Sequence, residues 1–152
     1  MSRKQTVLRP SILDRLQSGS RAASYGSVSD YRRAVLRDVE WLLNHRRTID
    51  PAPDSCPETQ RSVYHYGIPD LTAISPESGQ GRGRVRRMIE EAIRIFEPRL
   101  QSVRVSVSEE SGGQGVRFVI EGLLRMDPEP ELLRFDTVME TGTGGFKVTE
   151  HA

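Results

Sequence analysis

One segment, residues 83–105, changes from a helical period to a strand period beside a single proline. Before the change, the apolar residues fall at i, i+3, i+4, i+7, i+8 and i+11, which is the spacing of one helical face: Val85, Met88, Ile89, Ala92, Ile93 and Phe96. Pro98 ends this helix, because the residue before a proline is disfavoured in the α conformation. The pattern therefore predicts a helix that turns directly into a strand at Glu97-Pro98-Arg99.

The rest of the chain supplies partners for this helix and strand. An earlier amphipathic helix is predicted over about 29–46, with Ser27 or Ser29 as its N-cap. Alternating apolar residues predict strands at 103–107, 116–124 and 133–139, with a short fourth strand at 146–148. We expect an α+β fold in which two main helices pack on a small, mostly antiparallel sheet of three to four strands, with a short N-terminal helix.

The first 28 residues differ from the rest. Ser11 can start a helix that contains Ile12, Leu13 and Leu16, but such a segment is too short to be stable alone. A Ser/Gly/Ala-rich stretch follows it and reads as a flexible linker. We therefore expect an N-terminal docking segment and linker at 1–28 and a single α+β domain at 29–152.

The region 48–82 shows neither a helical nor a strand period and contains five prolines. Structureless stretches of this length are unusual in compact domains and are usually functional or mobile. The apolar patch Val63–Leu71 is expected to pin the middle of this region to the core. The glycine-rich stretch 78–83 is expected to be a mobile linker.

Composition narrows the classes of function. The 152 residues suggest one domain with one core, and the net charge of +1 hides a segregation of charge. Residues 1–50 carry a net +5 and residues 82–104 a net +4, whereas 51–81 carry −3 and 105–152 carry −5. This pattern suits docking against several partners, or it is ordinary surface scatter. It fits nucleic acid poorly, because the C-terminal third is acidic and no basic aromatic motif is present.

The remaining compositional features point to a cytoplasmic protein. Cys56 is the only cysteine, so an internal disulfide is excluded. No apolar region follows the basic start, and no segment has the roughly 20 apolar residues that span a bilayer. We expect a cytoplasmic location without direct membrane insertion, and a monomer in isolation.

The sequence offers no catalytic or metal-binding constellation. The three histidines are far apart and lack metal-ligand spacing with Cys56. The glycines of 79–83 superficially resemble a phosphate loop, but the Gly-Lys-Ser/Thr ending is missing. Glu90, Glu91 and Glu97 are candidates for a glycosidase pair only because they are acids. We therefore expect no catalytic residue, no metal and no cofactor.

Glu97 is the one acid whose position needs a reason. A carboxylate near a helix C-terminus faces the negative end of the macrodipole, at a cost of about 0.3–1 kcal/mol. Arg99 can offset this cost by a local ion pair at a solvated helix end, which is worth little. Alternatively, a bidentate Arg–carboxylate contact here fixes geometry across an interface with a partner. The residues alone leave both interpretations open.

Four stretches of the chain resemble motifs of the TssE family of type VI secretion baseplate subunits, and they occur in the same order as in that family. The family is similar to a small wedge protein of contractile phage tails. Glu97-Pro98-Arg99 resembles the Glu-Pro-Arg motif of the family. The other three stretches are Ser11-Ile-Leu-Asp-Arg-Leu16, Arg37-Asp-Val-Glu-Trp-Leu-Leu-Asn-His-Arg-Arg47 and Ser62-Val-Tyr-His-Tyr-Gly-Ile-Pro-Asp70. The resemblance covers about 8 to 149, and His45 and the glycine-rich 78–83 are its departures.

The resemblance implies a structural, non-enzymatic subunit. Its implied partners are baseplate wedge proteins of the TssF, TssG and TssK types and sheath proteins of the TssB and TssC types. A small sheet with exposed edges can accept strands from another chain. We expect partner binding at the corner (Glu97, Pro98, Arg99), at the N-terminal helix (Leu13, Leu16) and at a strand edge near 133–149 (Phe135, Thr137, Met139).

Two other readings stay open at this point. A "lysozyme-like" label attaches to the family, so a peptidoglycan-cleaving muramidase-like enzyme is the alternative function. A generic cytoplasmic adaptor of α+β fold is the third. A cleft that holds two carboxylates, one with a raised pKa, would favour the enzyme.

Overall fold

The computed structural model describes Leu8 and residues 11–17, 27–47, 53–75, 78–108 and 115–150, with the backbone alone at 12, 13 and 17. The helices within these residues are α1 (Ile12–Gln17), α2 (Val28–Asn44), α3 (Pro57–Gln60) and α4 (Gly79–Phe96), and a 3-10 turn spans Val63–His65. The strands are β1 (Leu100–Val107), β2 (Gly115–Leu124), β3 (Glu131–Glu140) and β4 (Phe146–Glu150). They form one antiparallel sheet in the order β1-β2-β3-β4. The α+β fold is confirmed.

Both long helices begin at a serine cap. The Ser27 hydroxyl accepts a hydrogen bond from the Asp30 backbone N–H at 3.1 Å. Ser27 therefore caps α2, as predicted for the earlier of the two long helices. The Ser78 hydroxyl accepts from the Gly81 N–H at 3.0 Å. The glycine-rich stretch 78–83 is therefore the cap and first turns of α4, and the expectation of a mobile linker is wrong. A Cβ at position 81 would lie 1.8 Å from the Ser75 carbonyl oxygen, so this tight start requires glycine.

The core lies between the two long helices and one face of the sheet. Its fully buried side chains come from every layer: Val35, Val39, Leu42 and Leu43 of α2, Val85, Ile89 and Ile93 of α4, and Phe118, Ile120, Leu124 and Phe135 of the sheet. The region between the helices is pinned as predicted, because Ile68 is fully buried and exchanges backbone hydrogen bonds with His45 and Arg47 at 3.0 Å each. Burial of this apolar surface is the main source of stability.

Side chains of the helices cover the outer edges of the sheet. On β1, the Val105 N–H donates to Glu90 Oε2 of α4 at 3.2 Å. On β4, Asn44 of α2 bonds both the N–H and the C=O of Phe146, at 2.9 and 2.8 Å. Glu40 Oε2 accepts from the Val148 N–H at 3.1 Å. Each long helix therefore satisfies some of the outward backbone groups of one edge strand, a common protection against unwanted strand pairing.

This arrangement corrects the expected edge near 133–149. β3 is an inner strand that pairs with β2 on one side and β4 on the other. Phe135, Thr137 and Met139 point into the core and are at most 2% exposed. The edge strand in this part of the chain is β4. Partner contact by Phe135, Thr137 and Met139 stays a prediction, and it would require these side chains to leave the core.

Candidate functional site

The Glu97-Pro98-Arg99 corner is a buried ion pair. α4 ends at Phe96, and Glu97 is its C-cap with a side chain that is only 4% exposed. Arg99 clasps this carboxylate with two side-chain bonds, Nε to Oε1 at 2.7 Å and Nη2 to Oε2 at 2.5 Å. The Arg99 backbone N–H also donates to Oε1 at 3.2 Å. The residue between them, Pro98, is exposed.

A second carboxylate, Asp38 of α2, completes the corner. Arg99 Nη2 donates to Asp38 Oδ2 at 2.6 Å, so one guanidinium joins the end of α4 to the middle of α2. Asp38 Oδ1 in turn accepts from Arg37 at 2.9 Å. Arg37 reaches Asp14 of α1 at 2.7 Å. Five charged side chains thus form one continuous network from α4 through α2 to α1.

The charges around Arg99 outweigh its burial. Burial alone would lower the pKa of the Arg99 guanidinium, but hydrogen bonds and charges from Glu97, followed by those from Asp38, raise it. Two tyrosines next to the corner are affected as well. Burial raises the pKa of Tyr31 and of Tyr66, and the negative charge of Glu97 adds to the increase in both. The Arg99 guanidinium therefore stays protonated across the physiological pH range.

The four motif stretches converge on this corner. Asp14 lies in the first of them, Asp38 in the second and Glu97 in the last. The third stretch contributes Tyr66, whose ring packs on Phe96 with centroids 5.3 Å apart. Residues that are distant in sequence therefore share one site, which makes the corner the best candidate for the function that the motifs serve.

The structure shows where the other expected docking residues lie. Leu16 is 74% exposed on α1, as a residue that docks on a partner should be. The side chain of Leu13 lies outside the described residues, as does most of the expected 1–28 docking segment and linker. Leu8, however, is buried in the core, so part of this segment packs on the domain.

Asp38 is the site residue that the sequence argument missed. Asp38 lies inside the motif stretch 37–47. The helical period of α2 places it next to the buried Val39 but does not predict which side chain it binds. The available signal was its place in a motif, because a carboxylate in one motif is a candidate partner for the Arg99 guanidinium in another.

With this geometry established, comparison with known proteins decides the family. Residues 29–129, more than half of the chain, match the family described as baseplate wedge protein gp25. The chain belongs to this family. It is the family to which TssE belongs, so the resemblance is confirmed. No curated protein and no solved structure matches the chain.

Membership in the baseplate wedge family gives the chain a structural role in a baseplate of the phage-tail type. The family is structural, in keeping with the expectation that the chain is not an enzyme. Among the described residues, the pKa values of Asp30 and Asp70 are lowered by hydrogen bonds, from Ser27 and from Thr72 respectively. Within the described ranges no helix is long and apolar enough to cross a membrane.

Proposed function

We propose that this chain is a structural subunit of a type VI secretion baseplate that works in the cytoplasm and contacts wedge proteins of the TssF, TssG and TssK types. The observation that carries the proposal is the convergence of the four TssE-like stretches on one ion-paired corner. Ion pairs of this kind are poor sources of net stability compared with apolar packing. They do fix geometry, which a subunit of a symmetric machine needs.

The corner offers features that suit a docking surface. Exposed Pro98 forms its outer point, and Leu16 is exposed on α1, which the Arg37–Asp14 pair holds against α2. Arg99 Nη1 has no hydrogen-bond partner among the described residues. A buried donor without an acceptor is unfavourable. A carbonyl or carboxylate of a wedge subunit would reach this buried nitrogen once the corner opens on binding, and Glu97 and Arg99 would then serve the interface as well as the fold.

Co-purification with wedge subunits tests this docking surface. Pro98→Ala and Leu16→Glu alter exposed side chains and leave every ion pair of the corner in place. We expect both variants to melt like the wild type and to recover less TssF- and TssG-type protein when co-expressed. Leu132→Glu is the matched control, because Leu132 is 67% exposed on β3, and β2 separates this strand from β1, which follows the corner. Unchanged recovery with both docking variants would show that wedge proteins bind elsewhere.

A role in starting the sheath is the second part of the proposal. Sheath proteins of the TssB and TssC types would pair a strand with the β4 edge. Asn44 and Glu40 occupy the outward backbone groups of Phe146 and the N–H of Val148, so pairing would begin at Glu150, beyond these contacts. The register of β4 against β3 directs the backbone of Glu150 outward, as it does for 146 and 148.

A proline at this position tests strand pairing. Glu150→Pro removes an outward N–H without removing a hydrogen bond to β3, whereas Glu150→Ala changes only the side chain. We expect Glu150→Pro to reduce sheath recruitment in cells and Glu150→Ala to leave it unchanged. Equal recruitment by both variants would contradict pairing at β4 but would leave the wedge contacts unaffected.

A further inference from the structure

A groove lies between α4 and the 65–69 loop. α4 forms one wall of the groove, and the loop forms the other. The groove has a volume of about 370 Å³. The α4 residues that line it recur at i, i+3, i+4, i+7, i+8, i+11 and i+12, so they form one continuous stripe: Arg84, Arg87, Met88, Glu91, Ala92, Ile95 and Phe96. At 1.5 Å per residue the stripe is about 18 Å long. The loop wall consists of Arg47, His65, Gly67 and Pro69.

The groove lining combines cationic and apolar side chains. Three of the lining residues are arginines, Arg47, Arg84 and Arg87, and none of them forms a salt bridge with any described residue. The one carboxylate on the wall, Glu91, is bonded to Arg94 at 2.8 Å. The large apolar side chains of the α4 wall are Met88, Ile95 and Phe96. The groove therefore presents unneutralised positive charge beside an apolar floor.

The positions of these arginines reduce the stability of α4. The first nine residues of α4 contain four arginines and no acid. Arg84 and Arg87 are i,i+3 neighbours, and like charges at this spacing destabilise a helix by roughly 0.2–0.5 kcal/mol. Arg82 adds positive charge in the first turn, at the positive end of the macrodipole. A helix selected for stability alone would carry acids here.

Apolar side chains beside the groove point to a protein partner. Ile95 is half-buried and does not belong to the core cluster formed by the described residues. Val63 and Tyr64 precede His65 on the 3-10 turn of the loop wall and are 89% and 45% exposed. An inorganic anion or a nucleic acid backbone gains nothing from these side chains.

We propose that this groove binds an acidic amphipathic helix of a partner protein, with carboxylates against Arg47, Arg84 and Arg87 and apolar side chains against Met88, Ile95 and Phe96. Three turns of helix match the length of the stripe, and an amphipathic helix in an apolar groove is a recurring mode of peptide recognition. The inference stands apart from the proposed baseplate contacts, which use the corner and β4.

Selection from a random peptide display library on the immobilised full chain tests the proposal. We expect the selected peptides to combine Asp or Glu with large apolar residues at helical spacing. Arg84→Glu with Arg87→Glu should weaken their binding at least about tenfold. Ile95→Ser should weaken it as well, and both variants should fold. Arg104→Glu on exposed β1 is the control for the single variants Arg84→Glu and Arg87→Glu, because each of the three makes the same charge change.

Three results would overturn the proposal. The first is a selection without enrichment of acidic peptides. The second is a set of peptides that bind all variants equally. The third is binding that depends on the arginines but not on Ile95 and that a single-stranded oligonucleotide or inorganic phosphate shares, since this would make the surface a general anion site.

Discussion

The two ends of α4 carry the charges that a helix dipole disfavours, but only one end resolves the conflict within the chain. At the C-terminal end, Glu97 is buried and held by Arg99, which Asp38 also binds. At the N-terminal half, Arg84 and Arg87 are exposed and have no carboxylate partner among the described residues. The comparison separates charges that specify the fold from charges that remain available to another molecule.

The largest effect is expected at the C-terminal end. Arg99→Ala would leave Glu97 and Asp38 without a cation, and breaking a buried ion pair costs about 3–5 kcal/mol. Arg99→Lys should cost less, although a lysine cannot form the two-pronged contact. Urea unfolding of the purified chain measures both variants. Arg94→Ala, on the exposed face of the same helix, is the control and should change stability by at most about 0.5 kcal/mol. A loss that small for Arg99→Ala would mean that the corner is solvated.

A smaller loss is expected where a polar side chain covers the sheet edge. Asn44→Ala removes two hydrogen bonds to the backbone of Phe146, and we expect a loss of about 1–2 kcal/mol. The exposed edge should also increase self-association, which sedimentation velocity measures. If stability and sedimentation both stay unchanged, water replaces the asparagine without cost and the edge is not protected in this way.

The pH dependence of stability probes the corner without changing a charge. Since the pKa of Tyr66 is raised in the folded chain, the unfolded chain releases its phenolic proton first as pH rises above about 10. Stability contributed by this group is therefore present below that pH and is lost as pH rises through the folded-state pKa. Tyr66→Phe should lessen the alkaline decline, as measured by thermal melts at several pH values. Tyr64→Phe on the same turn is the control, and equal declines in both variants would contradict the assignment.

The smallest effect has the opposite sign. Arg84→Glu removes a like-charge contact with Arg87 and creates an opposite-charge pair, so it should stabilise the chain by about 0.5 kcal/mol. The same substitution is expected to weaken peptide binding in the groove. A gain in stability with a loss of binding would show directly that this end of α4 serves a partner. Destabilisation by Arg84→Glu would instead assign the arginine a structural role that the described contacts do not reveal.

Much of the fold followed from periodicity. The strands at 103–107, 116–124, 133–139 and 146–148 each extend by a few residues at most, and the helix that ends before Pro98 ends where the proline requires. The glycine-rich start of α4 was missed because its glycines carry no apolar period. Its helical state depends on the Ser78 cap and on the close approach of Ser75, and the latter is a contact in space.

The sequence by itself determined the fold class, the helix–strand corner and the family, because these depend on local period, on proline geometry and on the order of short motifs. Only the tertiary structure decided which charges meet. Asp38 reaches Arg99 across 61 positions, β3 lies inside the sheet, and Arg84 and Arg87 line a groove without a counter-ion in the described chain. Contacts between distant segments depend on how the helices pack on the sheet. This packing is set by the burial of apolar surface over the whole chain, which no single local pattern reveals.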